Sequence, residues 1–243
     1  MRIRTAAYIF FGLFVAGAYA WAVLLLPVFG NYHGAYGEML NRITLYERHA
    51  TNVVTTVVFD YRGFDTLNEE FMLFIAVVGV LVLFRARPTD QQKHSAHEQQ
   101  SDAVRTFVLG LVSLLALFSL YIILTGQLTP GGGFQGGVML ATAFALIYLS
   151  GSLEQFLRLT PKKGAEAAEA IGVGGLAFYG LAVLAMGYPF FQNAVPLGTT
   201  GHLLSAGSLL LLNVLTGIAV AMGMVLLMRA YLREVLEGGE GDE

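Results

Sequence analysis

The densest group of ionisable side chains in this 243-residue sequence lies between positions 60 and 70. Its members are Asp60, Arg62, Asp65, Glu69 and Glu70. Carboxylates are hard oxygen ligands, and ionisable groups at membrane depth commonly handle protons or cations. A structural role is the alternative. Thr66 and Glu69 have the spacing of a helix capping box, and Arg62 could simply neutralise Asp60 or Asp65.

A glycine-rich run is the second candidate for chemistry. Its members are Pro130, Gly131, Gly132, Gly133, Phe134, Gly136 and Gly137. Proline stops a helix and glycine allows positive φ and close backbone approach, so the backbone could face a ligand. The missing Lys-Ser/Thr pair excludes a phosphate loop. The alternative is a tight hairpin that lets two helices pack closely, which is tolerated at membrane depth when the backbone is buried.

Three isolated polar residues complete the candidates. Asn213 is expected near the middle of the last apolar run, flanked by Ser205, Ser208 and Thr216, where an interhelical hydrogen bond is expected before an ion ligand. His202, at the predicted start of that helix, and His49 could carry protons. These histidines lack metal-ligand spacing, so we predict no metal site and no cofactor.

The composition identifies the elements that must position these residues. Hydrophobic residues make up 56% of the chain and charged residues 13%, against about 45–50% and about 25% in ordinary domains. Apolar runs longer than about 18 residues recur. This excludes a soluble enzyme, a nucleic-acid binder and a disulfide-built domain, and the lack of cysteine excludes thiol chemistry. We predict an all-α, polytopic integral membrane protein with about six transmembrane helices, over residues 5–27, 67–84, 104–124, 134–153, 170–190 and 202–228.

Residues 50–60 are apolar but too short to cross a bilayer, so we predict a re-entrant or interfacial half-helix on the outer side. This topology leaves only Arg42, Arg48 and Arg62 outside and the other eleven of fourteen basic residues in the cytoplasm. Both termini are then cytoplasmic. The first apolar run continues past a signal-like Ala18-Tyr19-Ala20, so a retained span is preferred to the alternative of a cleaved signal.

The polar stretch in the middle of the chain separates two groups of helices. We predict a two-helix module over residues 1–87, a cytoplasmic linker over 88–103, a four-helix module over 104–233 and an acidic, disordered tail over 234–243. Small residues spaced four apart, Gly217 with Ala221 and Ala219 with Gly223, predict a close helix contact within the chain or with a neighbouring protein.

The segment from Asn52 to Glu69, NVVTTVVFDYRGFDTLNE, resembles the C-terminal module of the MrpA-type subunit of multisubunit Na⁺/H⁺ antiporters. The same module forms a separate, MbhE-like subunit in related membrane-bound hydrogenases. The family pattern is Asn-Val-Val followed by Asp-Phe-Arg-Gly-Phe-Asp-Thr-Leu-Gly-Glu. Tyr61 replaces its phenylalanine and Asn68 its second glycine, while Glu70 adds a carboxylate.

The four-helix module resembles the MrpB subunit, which is also called MnhB. The family motif Pro-Gly-Gly-Gly-Phe-x-Gly-Gly matches the run from Pro130 to Gly137 without a departure. Pro196-Leu197-Gly198 before the last helix and Leu212-Asn213 within it agree as well.

The resemblance implies a subunit of a hetero-oligomeric Mrp-type Na⁺/H⁺ antiporter complex in the cytoplasmic (inner) membrane of a prokaryote. Its partners would be MrpA-, MrpC- and MrpD-like subunits, small subunits and the lipid bilayer, with no nucleic acid. Such a subunit would not be an enzyme and would contribute to the cation and proton route and to assembly. By position, Arg62 and Glu69 match residues regarded as important in the MrpA module, and Pro130 and Phe134 match such residues in MrpB.

Two alternatives remain from the sequence. The same module could serve a membrane-bound hydrogenase or a related redox complex, or the chain could be a non-conducting membrane scaffold. The predicted spans contain neither Lys nor Arg in their interiors, so this chain offers no complete proton path of its own and must work with partners.

Overall fold

The computed structural model describes residues 3–26, 34–85, 102–150 and 153–238. These residues form helices joined by turns and contain no strand, which confirms the predicted fold class. Six of the described helices are long and apolar enough to cross a membrane, as predicted. Residues 88–101 of the predicted linker and 239–243 of the predicted tail lie outside the described residues.

Nine α-helices and one π-helix follow one another along the described residues. They are α1 (Ile3–Leu24), α2 (Ala35–Arg48), α3 (Val53–Thr56), the π-helix (Val57–Tyr61), α4 (Gly63–Arg85), α5 (Asp102–Leu124), α6 (Gly133–Ser150), α7 (Leu153–Leu159), α8 (Lys162–Ala185) and α9 (Leu209–Gly238).

The first compact unit, residues 1–40, contains α1 and the beginning of α2. The described side chains of α1 are exposed, including Phe10, Leu13 and Phe14. A long, exposed and predominantly apolar helix is stable in lipid rather than in water, so α1 has the surface of a membrane span over Thr5–Leu24.

The second compact unit, residues 41–243, is built around α9. Each of its three buried apolar clusters includes residues of α9: Leu209 and Leu212 in the first, Leu226 in the second and Val225 in the third. Helices α4, α6 and α8 pack around α9, and α5 packs against α6.

Small residues allow this close packing. A Cβ atom on Gly137 of α6 would lie 2.8 Å from the carbonyl oxygen of Gly217, and one on Gly172 of α8 would lie 2.8 Å from Cβ of Ala219. The predicted close contact at the small residues of the last helix is therefore confirmed, and it is made within the chain.

Several predicted boundaries were wrong. Helices α4 and α8 begin at Gly63 and Lys162 rather than at 67 and 170, because charged residues in a first turn lower the hydropathy without preventing a helix. The last helix begins at Leu209, not at 202, since Pro189 and Pro196 interrupt the helical pattern and Gly198, Gly201 and Gly207 adopt positive φ in the preceding turns. Helix α9 ends at Gly238, so residues 234–238 of the predicted tail are helical.

Two helices were not predicted. Helix α2 has 14 residues, and α7 has seven. At about 1.5 Å per residue both are too short to cross a bilayer, so a search for long apolar runs passes over them.

Candidate functional site

The predicted half-helix is two short helical segments, α3 and the π-helix, rather than a membrane span. Asn52 is the N-cap of α3, where its Oδ1 accepts a hydrogen bond from the backbone N–H of Thr55 at 3.3 Å. Asn52 is buried. Its side-chain oxygen caps the N-terminus of α3, and its side-chain N–H groups can donate to other partners.

Those donors hold the glycine-rich loop. Nδ2 of Asn52 lies 2.7 Å from the carbonyl oxygen of Gly126, 2.8 Å from that of Thr129 and 3.4 Å from that of Gly131, and its two N–H groups donate to this set of carbonyls. The hydroxyl of Thr55 donates to the same Gly126 carbonyl at 2.7 Å. Buried carbonyls need donors, and here one short polar segment supplies several of them.

Asn213 of α9 holds the same loop from the opposite side. Its Oδ1 accepts from the backbone N–H of Gly133, the first residue of α6, at 2.8 Å, and its Nδ2 donates to the carbonyl of Leu209 at 2.9 Å. This is the interhelical hydrogen bond that the sequence predicted. Asn213 is the fifth residue of α9, so it lies near the beginning of that helix rather than in its middle.

We call Asn52, Thr55 and Asn213, with loop residues Gly126 to Gly133, the polar anchor. Gly131 and Gly132 adopt φ of +127° and +145°, which side chains disfavour. A Cβ atom on Gly133 would lie 2.3 Å from the carbonyl oxygen of Asn213. The contacts of the polar anchor use backbone groups that a ligand would otherwise bind, so they favour the tight-hairpin interpretation. Pro130, within this loop, and Phe134, directly after it, are exposed.

The turns before α9 contain one histidine candidate, His202, and contact the other, His49, which directly follows α2. Nδ1 of His49 lies 2.6 Å from the carbonyl oxygen of Gly198, a contact that ties the end of α2 to these turns. His202 is exposed and lies seven positions before the first residue of α9, so the expected helix-start position was wrong. The structure gives His49 a contact with the backbone of these turns and leaves the side chain of His202 exposed.

Asn193 organises the same turns and was missed by sequence reasoning. Its Nδ2 donates to the carbonyl of Ala206 at 3.0 Å, and its Oδ1 accepts from the backbone N–H and the hydroxyl of Ser208 at 3.0 and 3.1 Å. Asparagines in turns commonly bond the backbone in this way, which is the signal that could have revealed it.

The predicted charge cluster divides into separate interactions. Asp60 pairs with Arg48 of α2, Nε to Oδ2 at 2.8 Å, and its side chain is 3% exposed. Burial raises the pKa of Asp60 above its ordinary value, while Arg48 and Asn193 oppose that rise. Arg62 pairs with Asp65 at the exposed start of α4. The sequence suggested Asp60 or Asp65 as its partner, and the structure shows Asp65.

The predicted capping box is wrong. Helix α4 begins at Gly63, which places Thr66 inside its first turns rather than at its N-cap. The hydroxyl of Thr66 donates at 2.5 Å to the carbonyl of Val58 in the π-helix. A π-helix shifts the normal backbone pairing, and a side-chain donor satisfies the carbonyl there.

Neighbouring Glu69 and Glu70 face different surroundings. Glu69 is exposed, whereas Glu70 is 2% exposed. A third carboxylate, Glu169 of α8, is 3% exposed. Sequence reasoning missed Glu169 because the fifth span was predicted to begin one residue later, which left this side chain in the loop.

The segment from α5 into α9 matches a known family. A family model described as a domain related to the MnhB subunit of Na⁺/H⁺ antiporters matches residues 103–226, just over half of the chain. The chain belongs to the MnhB-related family. The matched residues run from the first turn of α5 into α9 and include the loop of the polar anchor.

Relatives of this MnhB-related chain extend the similarity beyond the matched domain. It is 29% identical over 176 residues to a Rhizobium meliloti protein named as a probable K(+)/H(+) antiporter component, covering 60% of this chain and 17% of that protein. The chain thus spans a small part of that relative's length.

Two solved structures share the fold of the MnhB-related chain. A chain of the membrane-bound sulfane sulfur reductase, an archaeal respiratory membrane complex, matches with a TM-score of 0.73 and 30% identity, over 95% of this chain and 99% of that one. A chain of the Mrp complex from Dietzia sp. DQ12-45-1b matches with a TM-score of 0.72 and 25% identity, over 100% of this chain and 27% of that one. Both matches include the helices before residue 103, which is compatible with the proposed joining of an MrpA-like module to an MnhB-like one.

Proposed function

We propose that this multi-pass membrane protein is a subunit of a cation/proton antiporter-type complex, that it contributes to the ion route and to assembly, and that it is not an enzyme. Similarity to a chain of the Mrp complex over the full length supports the proposal. So does similarity to the Rhizobium meliloti antiporter protein. The partners would be MrpA-, MrpC- and MrpD-like subunits and small subunits.

The position of Glu69 is the structural observation that carries the proposal. Glu69 is exposed on α4, six residues after the first residue of a helix fit to cross the membrane. That distance is about 9 Å along the helix. A charged side chain facing lipid costs about 2.5–3.5 kcal/mol or more at the centre of a membrane and less towards its edge. A partner protein or a water-filled cavity on this face would remove that cost.

The proposed activity exchanges external protons for internal Na⁺ or another monovalent cation. Moving one charge across 100 mV is worth about 2.3 kcal/mol, which can drive cation export when the ion numbers are favourable. Glu69, with Arg62 and Asp65 beside it, would contribute to the route on the outer side. Because the described spans hold few ionisable groups, the partner subunits would supply the rest of the path.

The proposed location is the cytoplasmic membrane of a prokaryote, with both termini in the cytoplasm. The distribution of basic residues supports this orientation, since only Arg42, Arg48 and Arg62 would be outside.

The test begins with purification from native membranes and identification of the proteins that accompany the chain. Antiport is then measured in everted vesicles that carry Glu69→Gln. We expect assembly to persist and cation-dependent proton movement to fall. Asn68→Ala is the matched control, because Asn68 is the exposed, uncharged neighbour. Unaltered antiport with Glu69→Gln in an assembled complex would remove Glu69 from the ion route.

A redox complex is a second candidate, and one observation favours it. The chain matches a whole subunit of an archaeal respiratory complex, at 99% of that chain's length and at higher identity than the Mrp chain. Co-purification of iron–sulfur subunits, with a cation gradient that requires electron transfer, would support this candidate over a free-standing antiporter.

A non-conducting scaffold is the remaining alternative, and the dense packing at the polar anchor is what favours it. Full antiport with Glu69→Gln, Asp65→Asn and Pro130→Ala, each tested separately, would support the scaffold. Loss of antiport in a fully assembled Glu69→Gln complex would contradict it.

A further inference from the structure

Two carboxyl groups that take no part in the polar anchor are buried on membrane-crossing helices. Glu70 of α4 and Glu169 of α8 are 2% and 3% exposed. Oε2 of Glu70 and Oε1 of Glu169 are buried and have no hydrogen-bond partner among the described residues. A buried carboxyl oxygen without a partner is costly to keep for packing alone, so these two groups need an explanation.

The two groups lie along one seam. Glu70 is seven positions before Val77, so both lie on the same face of α4. Glu169 is four positions after Ala165 and shares its face of α8. Val77 and Ala165 belong to one buried cluster with Leu226 of α9. The faces that carry the two carboxyls therefore meet at α9.

Gly223 of α9 fixes where Glu169 lies in this seam. A Cβ atom built on Gly223 would be 2.9 Å from Oε1 of Glu169 and 3.4 Å from Cγ2 of Val77. The Glu169 carboxyl is thus level with Val77. Glu70 lies seven residues from Val77, about 10 Å along the axis of α4. The two carboxyls occupy successive positions in the seam between α4, α8 and α9.

A proton is the cargo that fits this arrangement. A bound cation needs several oxygens around one point. Among the described residues, no three or more His, Cys, Asp or Glu side chains form a group that could hold a metal ion, and each of these two carboxyls is a single group. A carboxyl that takes up a proton becomes neutral and needs no counter-charge. The part of α9 between Leu209 and Met228 has no charged residue, and the nearest ionisable neighbours on the other helices, Glu69 and Glu166, are exposed and half-buried.

We propose that Glu70 and Glu169 are two stations of a proton path in this seam, so that the subunit itself carries a segment of the complex's proton route. The proposal rests on the proposed function and deepens it. Each step is a proton transfer alone: the O–H bond of one acid breaks, a chain of bridging waters accepts the proton at one end and gives one up at the other, and a new O–H bond forms on the other carboxylate. More than one bridging water is required, because about 10 Å is too far for direct transfer or for a single water.

The experiment uses the complete complex in sealed vesicles. Glu70→Gln and Glu169→Gln keep side-chain size and remove the exchangeable proton of the acid. We expect each to lower cation-dependent proton movement by about tenfold or more without loss of subunits. The matched control is Glu166→Gln, which lies one turn from Glu169 on α8, pairs with Lys162 at 3.6 Å and should leave transport unchanged.

Infrared spectroscopy gives a second measurement, which detects protonated carboxyl groups directly and does not depend on how the helices pack. The wild-type complex should show carboxylic C=O bands that shift in deuterated water, and each glutamine variant should remove one of them. Normal antiport with both glutamine substitutions in place would overturn the inference. Failure of both Glu70→Gln and Glu70→Asp to assemble would also overturn it, because it would mark Glu70 as a structural residue.

The same vesicles separate the two proposals. A wild-type complex that exchanges no cation for protons would end the proposed function. A complex that needs Glu69 but works normally without the carboxyls of Glu70 and Glu169 would overturn only the proton path.

Discussion

Asn52 shows how much one side chain can organise in this protein. It caps α3 through its oxygen and donates through its nitrogen to carbonyls of the loop between α5 and α6. The helices of the two proposed modules therefore meet at hydrogen bonds as well as at apolar contacts. Sequence reasoning quoted Asn52 as part of a family pattern but gave it no role, because its partners lie more than 70 residues away.

Replacing Asn52 should destabilise the polar anchor. In Asn52→Ala the buried loop carbonyls lose a donor, which should lower the free energy of unfolding by about 1–3 kcal/mol. Asn52→Asp should cost more, because a carboxylate would face carbonyl oxygens. Thermal unfolding of the detergent-solubilised protein measures both.

The control for Asn52 is Val54→Ala on the same short helix, where the side chain is 64% exposed. Its unfolding temperature should stay close to that of the wild type. Asn52→Asp with wild-type stability would show that these hydrogen bonds do not hold the loop.

At the residue scale, the sequence could not predict which of two neighbouring charged side chains is buried and which is exposed. Glu69 and Glu70 are adjacent, so both were grouped in one cluster, yet one is exposed and the other buried. Similarly, Arg48 was counted only as an outer charge before the structure paired it with Asp60. Each of these outcomes depends on which face of a helix meets its neighbour, and a single span's composition does not contain that information.

At the element scale, long apolar helices were predictable and their connections were not. Burial in lipid requires continuous apolar runs, and this physical demand is visible in the sequence for each of the six spans. The turns between Met186 and Ser208 follow from local backbone features instead, including positive φ at Phe191 and Ala206. Residues other than glycine rarely adopt that conformation, so the helix pattern was extended too far.

The contact between α6 and α9 leads to a paired prediction. Gly133→Ala would place its Cβ 2.3 Å from the backbone oxygen of Asn213, and backbone cannot rotate away as a side chain can. The two helices would have to separate, at a cost of about 1–3 kcal/mol. Gly174→Ala on α8 meets nothing within 4 Å and should stabilise its helix by up to about 1 kcal/mol.

Unfolding temperatures of these two glycine variants should therefore move in opposite directions from the wild type. The same chemical change is made in both, so the difference reports packing rather than glycine itself. If Gly133→Ala were as stable as Gly174→Ala, the close approach of α6 to α9 would be contradicted.

At the scale of the whole molecule, the helices of the second unit differ in how much of their surface is buried. Helix α9 is enclosed by its neighbours, whereas α4 and α5 expose large apolar side chains such as Ile75 and Leu117. Lipid or partner subunits can cover these side chains, and exposed Glu69 on α4 favours a partner on its face. The family resemblance anticipated such partners, while the burial pattern supplies a physical reason for them.

Membrane orientation is the last prediction, and the absence of cysteine makes it directly measurable. Exposed Lys163 lies at the start of α8, and exposed Thr200 lies in the turns between α8 and α9, so one span separates them. The basic residues favour the start of α8 in the cytoplasm. A membrane-impermeant maleimide should label Thr200→Cys in intact cells and Lys163→Cys only after permeabilisation.

Labelling of denatured protein confirms that each thiol is reactive, and the unsubstituted chain is the blank. The reverse pattern would place both termini outside, and equal labelling in intact cells would show that α8 does not cross the membrane.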